Sequence, residues 1–367
     1  MRTYRVTLGC DPEFFITGTN DKVLAADKFL PHKSSGFPIY FDGIQAEINP
    51  SPSTCRDSLR HNIWYCLCGV RNKISETGND ARMTVKASAP IEQEVIDKAH
   101  EDAKVFGCAP SRDCYKNGTA GSVTIDASKH LKRYCGGHIH LGRGGRFPVF
   151  WFHNNQIELV RLLDILVGNT CVLIDHGEEG RIRREHYGRA GEYRLPKHGL
   201  EYRVLSNFWL QHPIFMYLVM GLARGAVNIF YQDEFTVQRI FELVTERDVC
   251  EAINENRPDL AWFNYKKIEP LLFNTFTHCE YYAFPLRQAN RKVWYYMIAE
   301  TFGAVPEPSL WGRQIKEQNL LQRWARGFGL ESYRRNLNRS TYSLISEYKW
   351  FRKWNWQSTM KKIFGLV

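Results

Sequence analysis

Polar side chains recur two positions apart in four short segments of the sequence. The pairs are Asp11 and Glu13, Glu47 and Asn49, His138 and His140, and Glu201 and Arg203. Successive side chains of a β-strand point to opposite faces, so the members of each pair share one face. Carboxylates and imidazoles that converge from several strands can bind Mg²⁺ or Mn²⁺, and arginines beside them can bind phosphate oxygens bidentately. This combination is typical of phosphoryl transfer.

Neighbouring residues extend the pattern. Glu192 and Arg194 repeat the Glu-x-Arg spacing, and Gly136 and Gly137 precede the first histidine. Glycine allows another backbone or a ligand to approach closely. An amphipathic strand that exposes polar side chains explains any single pair, so the prediction depends on all four together. The His-x-His pair leaves a metal hydrolase as an alternative, although a third histidine or cysteine at ligand spacing is missing.

Composition excludes several classes of protein. The chain has 367 residues, of which 44% are hydrophobic and 14% aromatic, so it can bury a core and is not intrinsically disordered. The sequence has no phosphate-binding loop, dinucleotide fingerprint or nucleophile elbow. Its ten cysteines form no C-x-x-C pair, which indicates reduced thiols. No apolar run reaches membrane-spanning length and no signal peptide is apparent, so we expect a cytoplasmic protein without membrane contact.

Positive charge is concentrated near the C-terminus. The net charge is +10, and residues 310–367 contain 12 Lys or Arg against 3 Asp or Glu, a net of +9. The same residues include the aromatic and basic sequence YKWFRKWNWQ. Basic and aromatic residues together can bind nucleic acid through phosphate contacts and stacking. The alternative is an amphipathic helical appendage whose aromatic side chains pack on the core.

The periodicity predicts strands before residue 50, a helix over 57–77 and a strand over 131–142. It also predicts a long helix over 151–175, a hairpin of 191–194 with 199–206, and mostly helices beyond. Those later helices are expected at 214–231, 234–255, 291–303 and 312–326. An α+β fold follows, with a core over 1–210, a helical supporting portion over 211–309 and a basic, aromatic helical extension over 310–367.

The segments GCDPEFF, FDGIQAEINPSP, GGHIHLG and YGRAGEYRLPKHGLEYRVLSNFW resemble the phage-type carboxylate–amine ligases. These are amidoligases of the superfamily that includes glutamine synthetase and glutamate–cysteine ligase. The resemblance covers residues 7–210. It implies a glutamine-synthetase-like core, in which a curved antiparallel sheet has a polar concave face and helices packed outside. It also implies ATP-dependent amide formation through an acyl phosphate, with ATP and Mg²⁺ or Mn²⁺ as cofactors.

The resemblance also implies roles for single residues. The implied metal ligands are Glu13, Glu47, Glu201 and His138, with Asp11 as a further candidate. Nucleotide or phosphate contacts fall to His138, His140, Arg189 and Arg203. Catalytic roles fall to Glu201, Arg194 and Arg203, with the arginines as phosphate clamps. Candidate substrate contacts are Asn49 and the loop residues Ser111, Arg112 and Asp113.

The implied substrates are a carboxylate and an amine, each a small molecule or a peptide. The superfamily often forms oligomers, so a homo-oligomer is also an expectation, as is a host cytoplasm if a phage encodes the chain. A different class of function stays open. In that alternative, a degenerate ligase fold binds nucleic acid or another acidic partner through residues 310–367.

Overall fold

The computed structural model describes residues 6–104, 111–120, 129–143, 148–175, 177–211 and 213–278, together with Leu320, Leu321 and Trp324. These residues form an α+β fold in which the paired strands of each sheet are antiparallel. Within the described residues, no helix combines the length and the apolar character needed to cross a bilayer.

The strands are β1 (Thr7–Cys10), β2 (Glu13–Thr17), β3 (Val23–Leu24), β4 (Ile39–Asp42), β5 (Gln45–Ile48), β6 (Arg82–Thr84), β7 (Ser88–Pro90), β8 (Arg112–Asp113), β9 (Thr119–Ala120), β10 (Lys132–Tyr134), β11 (Ile139–Gly142), β12 (Glu192–Arg194) and β13 (Gly199–Tyr202). One sheet has the order β1-β11-β13-β12-β8-β9. A second sheet has the order β3-β2-β5-β4, with β6 also paired to β2, and β10 pairs with β7 separately.

The helices are α1 (Arg56–Glu76), α2 (Gln93–Asp97), α3 (Val149–Asn154), α4 (Gln156–Leu163), α5 (Asn169–Val172), α6 (Glu178–His186), α7 (Pro213–Gln232), α8 (Glu234–Leu243), α9 (Glu246–Asn254) and α10 (Pro258–His278). A π-helical turn, Asp164–Gly168, joins α4 to α5. Short 3₁₀ turns occur at Ala26–Lys28, Lys33–Ser35, Glu101–Lys104, Cys114–Lys116 and Asn207–Gln211.

The core forms where helices cover the sheets. Helix α1 buries Leu59, Ile63, Leu67 and Val70, which recur every three or four residues along one face. The helix ends before Gly78, whose φ of 66° is a left-handed conformation that suits glycine. Burial of such a face removes apolar surface from water, which is the main free-energy gain of folding.

Trp324 also belongs to this core. Its side chain is fully buried, and its indole Nε1 donates a 2.8 Å hydrogen bond to the Leu210 carbonyl. Arg60 in α1 donates a 2.7 Å hydrogen bond to the Trp324 carbonyl. One aromatic residue of the range 310–367 therefore packs against the core. The cluster YKWFRKWNWQ lies outside the described residues.

The buried carboxylate of Asp164 accepts hydrogen bonds from both sides of the β12–β13 hairpin. Asp164 Oδ1 accepts a 2.6 Å hydrogen bond from Tyr202 OH, and Asp164 Oδ2 accepts a 2.6 Å bond from the Gly191 N–H. Tyr202 lies in β13, and Gly191 immediately precedes β12. The side chain of Asp164 thus ties both strands of the hairpin to the helical layer.

Several predicted elements are confirmed and others are wrong in their extent. The helix over 57–77, the 191–206 hairpin and the helix over 214–231 are present. The long helix over 151–175 is instead broken at Asn155 and again by the π-helical turn. The helix over 234–255 ends at Leu243, and Thr245 caps a new one.

The strand predicted over 131–142 is also interrupted. Its residues form β10 and β11, and Gly136 and Gly137 lie between them. A Cβ atom on Gly137 would lie 2.3 Å from the Ser206 carbonyl oxygen and 2.5 Å from Trp209 Nε1. The backbone at Gly137 can therefore pass this close to Ser206 and Trp209 only because glycine has no side chain. The helix predicted over 291–303 and most of that over 312–326 lie outside the described residues.

Candidate active site

The first of two polar clusters contains Asp11, His138, His140 and Glu201. Asp11 Oδ1 lies 3.2 Å from His138 Nδ1 and 3.1 Å from His140 Nε2. Glu201 Oε1 lies 3.5 Å from His138 Nδ1. Ligand atoms of Asp11, His140 and Glu201 lie within 4.8 Å of one another. The strand register accounts for this convergence, because His140 lies opposite Glu201 in the β11–β13 pair.

Two arginines contact Glu201. Arg203 donates a hydrogen bond to Glu201 Oε1, and Arg194 Nη1 lies 3.8 Å from the same oxygen. Arg194 lies opposite Glu201 in the β12–β13 pair. Arg203 is buried, and its guanidinium lies over the ring of Tyr187, 5.7 Å from the centroid. These contacts hold both guanidinium groups beside the first cluster.

The second cluster contains Glu13, Asp42 and Glu47, whose ligand oxygens lie within 4.8 Å of one another. Glu13 lies opposite Glu47 in the β2–β5 pair, and Tyr40 lies opposite Glu47 in the β4–β5 pair. The hydroxyl of Tyr40 donates a hydrogen bond to Glu47 Oε1. Lys33 Nζ lies 3.6 Å from Asp42 Oδ2 and 3.7 Å from Glu47 Oε2.

Glu13 links the second cluster to the glycines before β11. Its Oε2 accepts a 2.7 Å hydrogen bond from the Gly136 N–H and a 3.1 Å bond from Tyr187 OH. A Cβ atom at Gly136 would lie 2.4 Å from that hydroxyl and 2.3 Å from His138 Nε2. The glycine therefore leaves room for Tyr187 and His138 beside the carboxylate.

Burial and like charge raise two pKa values in the second cluster. Burial and the neighbouring Asp42 carboxylate raise the pKa of Glu13 to about 7. Burial, with the carboxylates of Asp11 and Asp42, raises the pKa of Glu47 well above its usual range. Three acids so close together with one exposed lysine favour the binding of a further cation.

In the first cluster, neighbouring positive groups lower the pKa values of the two carboxyl groups. Burial acts to raise the pKa of Asp11, but His140 and His138 outweigh it and hold that pKa well below its usual range. Burial also acts against ionised Glu201, and Arg203 and His138 outweigh it and lower the pKa. Burial and Arg203 lower the pKa of His138 to about 4, so its imidazole is neutral at pH 7. A neutral imidazole between ionised carboxylates has a ring nitrogen that can bind metal.

The donor set suits a hard divalent cation. Carboxylate oxygens dominate both clusters, and Mg²⁺ and Mn²⁺ prefer oxygen ligands with an occasional imidazole. The residues Glu13, Glu47, His138 and Glu201 are each at most 5% exposed, so the surrounding protein restricts the movement of these donors. The residues present therefore fit a metal centre of the kind that the sequence predicts.

Other predicted site residues lie apart from these contacts. Arg189 is exposed in the turn before β12, where its carbonyl accepts a 3.2 Å hydrogen bond from the Glu192 N–H. Asn49 is exposed after β5. Asp113 Oδ1 accepts a 2.9 Å hydrogen bond from the Tyr115 N–H, and Arg112 donates one of 3.2 Å to the Gly118 carbonyl.

The loop residues Arg112 and Asp113 form β8, which pairs with β12, and Ser111 immediately precedes that strand. Their position is next to the hairpin that carries Arg194. The Arg112 side chain contacts Gly118, and the Asp113 side chain contacts Tyr115 and Lys116. A role in substrate binding stays a prediction for all three residues.

Residues that sequence reasoning missed include Lys33, Tyr40, Asp42, Tyr187 and His198, whose Nε2 lies 3.0 Å from His140 Nδ1. Asp42 follows Tyr40 by two positions in IYFD, which is the same spacing as in the four polar pairs. That signal could have identified Asp42. Lys33 and Tyr187 lie outside regular strands, so only the tertiary fold places them.

No curated protein matches the chain. A solved structure, a bifunctional glutathione synthetase from Pasteurella multocida, matches with a TM-score of 0.41 and 11% sequence identity. The match covers 88% of this chain and 52% of that one, so the chain spans about half the length of the synthetase.

The family comparison is more direct. Residues 117–239 match the family described as phage phiEco32-like COOH.NH2 ligase-type 2. The matched range contains His138, His140, Arg194, Glu201 and Arg203, which are the residues of the first cluster and its arginines apart from Asp11. Residues 117–239 therefore match the phage phiEco32-like COOH.NH2 ligase-type 2 domain, a domain of carbon–nitrogen ligases.

Proposed function

We propose that this ligase joins a carboxylate to an amine at the two polar clusters, with ATP as the energy source and Mg²⁺ or Mn²⁺ in the clusters. The observation that carries the proposal is the convergence of five acids and two histidines from distant parts of the chain. The family match supports the reaction class. The use of an acid and an amine as substrates, and the position of the nucleotide, are parts of this proposal.

Each cluster has a distinct part in this proposal. Asp11, His138, His140 and Glu201 would hold one cation, and Glu13, Asp42 and Glu47 a second. When bound, these cations would neutralise phosphate oxygens and polarise the γ-phosphoryl group. Arg203 and Arg194 would orient the transferring phosphoryl group through their planar N–H groups.

A free carboxylate is a poor acyl donor, and phosphorylation gives it a good leaving group. A carboxylate oxygen of the first substrate attacks the γ-phosphorus of ATP, the bond to the β,γ-bridging oxygen breaks, and ADP leaves. The amine nitrogen then attacks the acyl carbon, inorganic phosphate leaves and the nitrogen loses a proton. Fixed guanidinium groups stabilise the charge on the phosphoryl oxygens without reorganising during the step.

The wider architecture is part of the same proposal. We infer that the sheets curve so that both clusters line one concave polar face, with the nucleotide bound along it. Residues 1–210 would form the glutamine-synthetase-like catalytic core and residues 211–309 its helical support. Helices α7 to α10 belong to that supporting range.

Calorimetric titration with a non-hydrolysable ATP analogue tests the nucleotide and metal sites together. Binding is expected with Mg²⁺ and is expected to weaken strongly without it. Glu47→Gln should weaken the Mg²⁺-dependent binding, because it removes one anionic ligand. Glu94→Gln is the matched control, since Glu94 is an exposed glutamate that pairs with Lys98 on the surface. Equal binding with and without Mg²⁺, or none at about 1 mM nucleotide, would contradict the proposal.

Phosphate release with pooled acids and amines tests the catalytic roles. Glu201→Gln and Arg203→Ala should each abolish substrate-dependent ATP turnover while the circular dichroism spectrum is unchanged. Full activity in either variant would remove that residue from the catalytic site. The same pools identify the substrates, because only a productive acid–amine pair releases phosphate.

A further inference from the structure

Lys33 is the one lysine with an ion-pair contact to the second cluster in the described part of the chain. Its Nζ lies 3.6 Å from Asp42 Oδ2 and 3.7 Å from Glu47 Oε2, and 5.1 Å from the centroid of the Tyr40 ring. The ammonium therefore occupies the side of the cluster where two of its three acids meet.

The acids and the lysine differ in their freedom to move. The side chain of Glu47 is 4% exposed and that of Asp42 is 15% exposed, whereas that of Lys33 is 54% exposed. Lys33 begins a 3₁₀ turn that is fixed at both ends. His32 Nδ1 accepts a hydrogen bond from the Ser34 N–H, and Gly36 closes the turn in a left-handed conformation. The backbone is thus held, while the flexible side chain can swing into solvent.

A divalent cation and the ammonium cannot share this cluster. The ligand oxygens of Glu13, Asp42 and Glu47 lie within 4.8 Å of one another, so a cation bound among them would lie close to the present position of Lys33 Nζ. Like charges at that separation repel strongly where solvent is partly excluded. Because the carboxylates are much less exposed than the lysine, the lysine is the group that moves.

We propose that Lys33 is a built-in counterion of the Glu13–Asp42–Glu47 cluster, which a divalent cation displaces. Lys33 stays protonated in both states, and only its position changes. Once displaced, its ammonium lies at the rim of the cluster, where it can bind an anionic group of the incoming substrate. The inference rests on the metal centre of the proposed function and adds a residue that exchanges with the metal.

Metal binding by the full-length protein tests the competition. Mn²⁺ is titrated into metal-free wild type and Lys33→Met, and free Mn²⁺ is followed by electron paramagnetic resonance. The dissociation constant at the second cluster should fall about three- to tenfold in Lys33→Met, as expected for the loss of one or two partly exposed ion pairs. Lys28→Met is the control, because this substitution removes the same charge from an exposed lysine of a neighbouring 3₁₀ turn.

A double variant tests whether the change in Mn²⁺ affinity arises at the second cluster. In the Asp42→Asn background the second cluster loses one acid, so Lys33→Met should change the Mn²⁺ affinity much less than in wild type. Weaker or unchanged Mn²⁺ binding in Lys33→Met, with wild type binding the metal, would overturn the exchange and leave the metal centre intact. No Mn²⁺ binding by any variant would overturn the metal centre and the exchange together.

A second measurement needs no variant. Acetylation of wild type by a water-soluble reagent, followed by mass spectrometry, reports how accessible each lysine is. Mg²⁺ should increase the labelling of Lys33 at least about threefold, because the released ammonium is no longer paired, and should leave Lys28 unchanged. Equal labelling of Lys33 with and without saturating Mg²⁺ would overturn the displacement.

Discussion

Arg203 occupies a position that a lysine cannot fill equivalently. It donates a hydrogen bond to Glu201, and its planar guanidinium lies over the Tyr187 ring. An ammonium is a compact charge without a planar face, so it cannot reproduce both contacts. The geometry of this side chain, and not only its charge, is therefore important for the site.

This difference predicts the effect of a conservative substitution. Arg203→Lys should lower kcat about 100-fold, because removal of one preorganised donor costs roughly that much in other enzymes. The measurement is substrate-dependent phosphate release. Arg181→Lys, an exposed arginine that pairs with Glu178 and Glu185, should retain activity. A loss below about threefold in Arg203→Lys would exclude a phosphate-orienting role for Arg203.

Asp164 predicts how stability depends on pH. Burial raises its pKa to about 7, although Tyr202 and the Gly191 N–H act in the opposite direction. A folded pKa above the unfolded value gives stability that is complete at low pH and is lost as pH rises through about 7. This group alone should cost about 2–3 kcal/mol between pH 5 and pH 8.

Urea unfolding at those two pH values measures the effect. Asp164→Asn lacks the titrating group, so its free energy of unfolding should change less between pH 5 and pH 8 than that of wild type. At pH 5 the variant should also be less stable, because an amide cannot accept both hydrogen bonds that Asp164 receives. Parallel pH profiles for the two proteins would exclude a titration of Asp164 in this range.

Regular elements could be predicted from the sequence where one periodicity continued without interruption. The 191–206 hairpin has alternating polar and apolar residues, and α1 has apolar residues at helical spacing, so both were predicted correctly. Breaks were missed because they depend on the backbone conformation of single residues. Asn155, which separates α3 from α4, is one such residue, and helices α6 and α10 were not predicted at all.

Gly137 provides a test at the scale of the sheet. Gly137→Ala should destabilise the protein by about 2–4 kcal/mol, because the new methyl group meets the Ser206 carbonyl and the Trp209 indole nitrogen. Gly177→Ala is the control, since its added atom would meet nothing within 4 Å. The free energy of unfolding in urea distinguishes them. A Gly137→Ala protein as stable as the control would mean that Ser206 and Trp209 can move away from the new methyl group at no cost.

At the scale of the whole molecule, the site unites residues 11–47, 138–140 and 194–203. The polar pairs indicated which residues face the same way, and the family resemblance indicated that they meet. Neither could indicate that Asp42 and Lys33 complete one cluster, because this depends on the β4–β5 register and on the turn after His32. The β4–β5 hairpin itself is local, but the contacts of its acids with Glu13 in β2 and with Lys33 depend on the tertiary fold.

The basic residues near the C-terminus give a prediction that involves the full chain. If residues 310–367 bind nucleic acid, the affinity for single-stranded RNA or DNA should fall steeply as salt is raised. Replacement of Lys349, Arg352 and Lys353 by glutamine should reduce the salt dependence by up to about three phosphate contacts. Fluorescence anisotropy measures both. No binding at about 50 mM salt would exclude this role for the segment.

The position of Trp324 has a consequence for the order of events during synthesis. A ribosome produces the sheet residues and the helix residues that pack on them well before residue 324. Until that tryptophan emerges, the Leu210 carbonyl and Arg60 lack the partners they have in the finished protein. The nascent chain can therefore assemble both acidic clusters before residue 324 is synthesised, but it completes this part of its interior only afterwards.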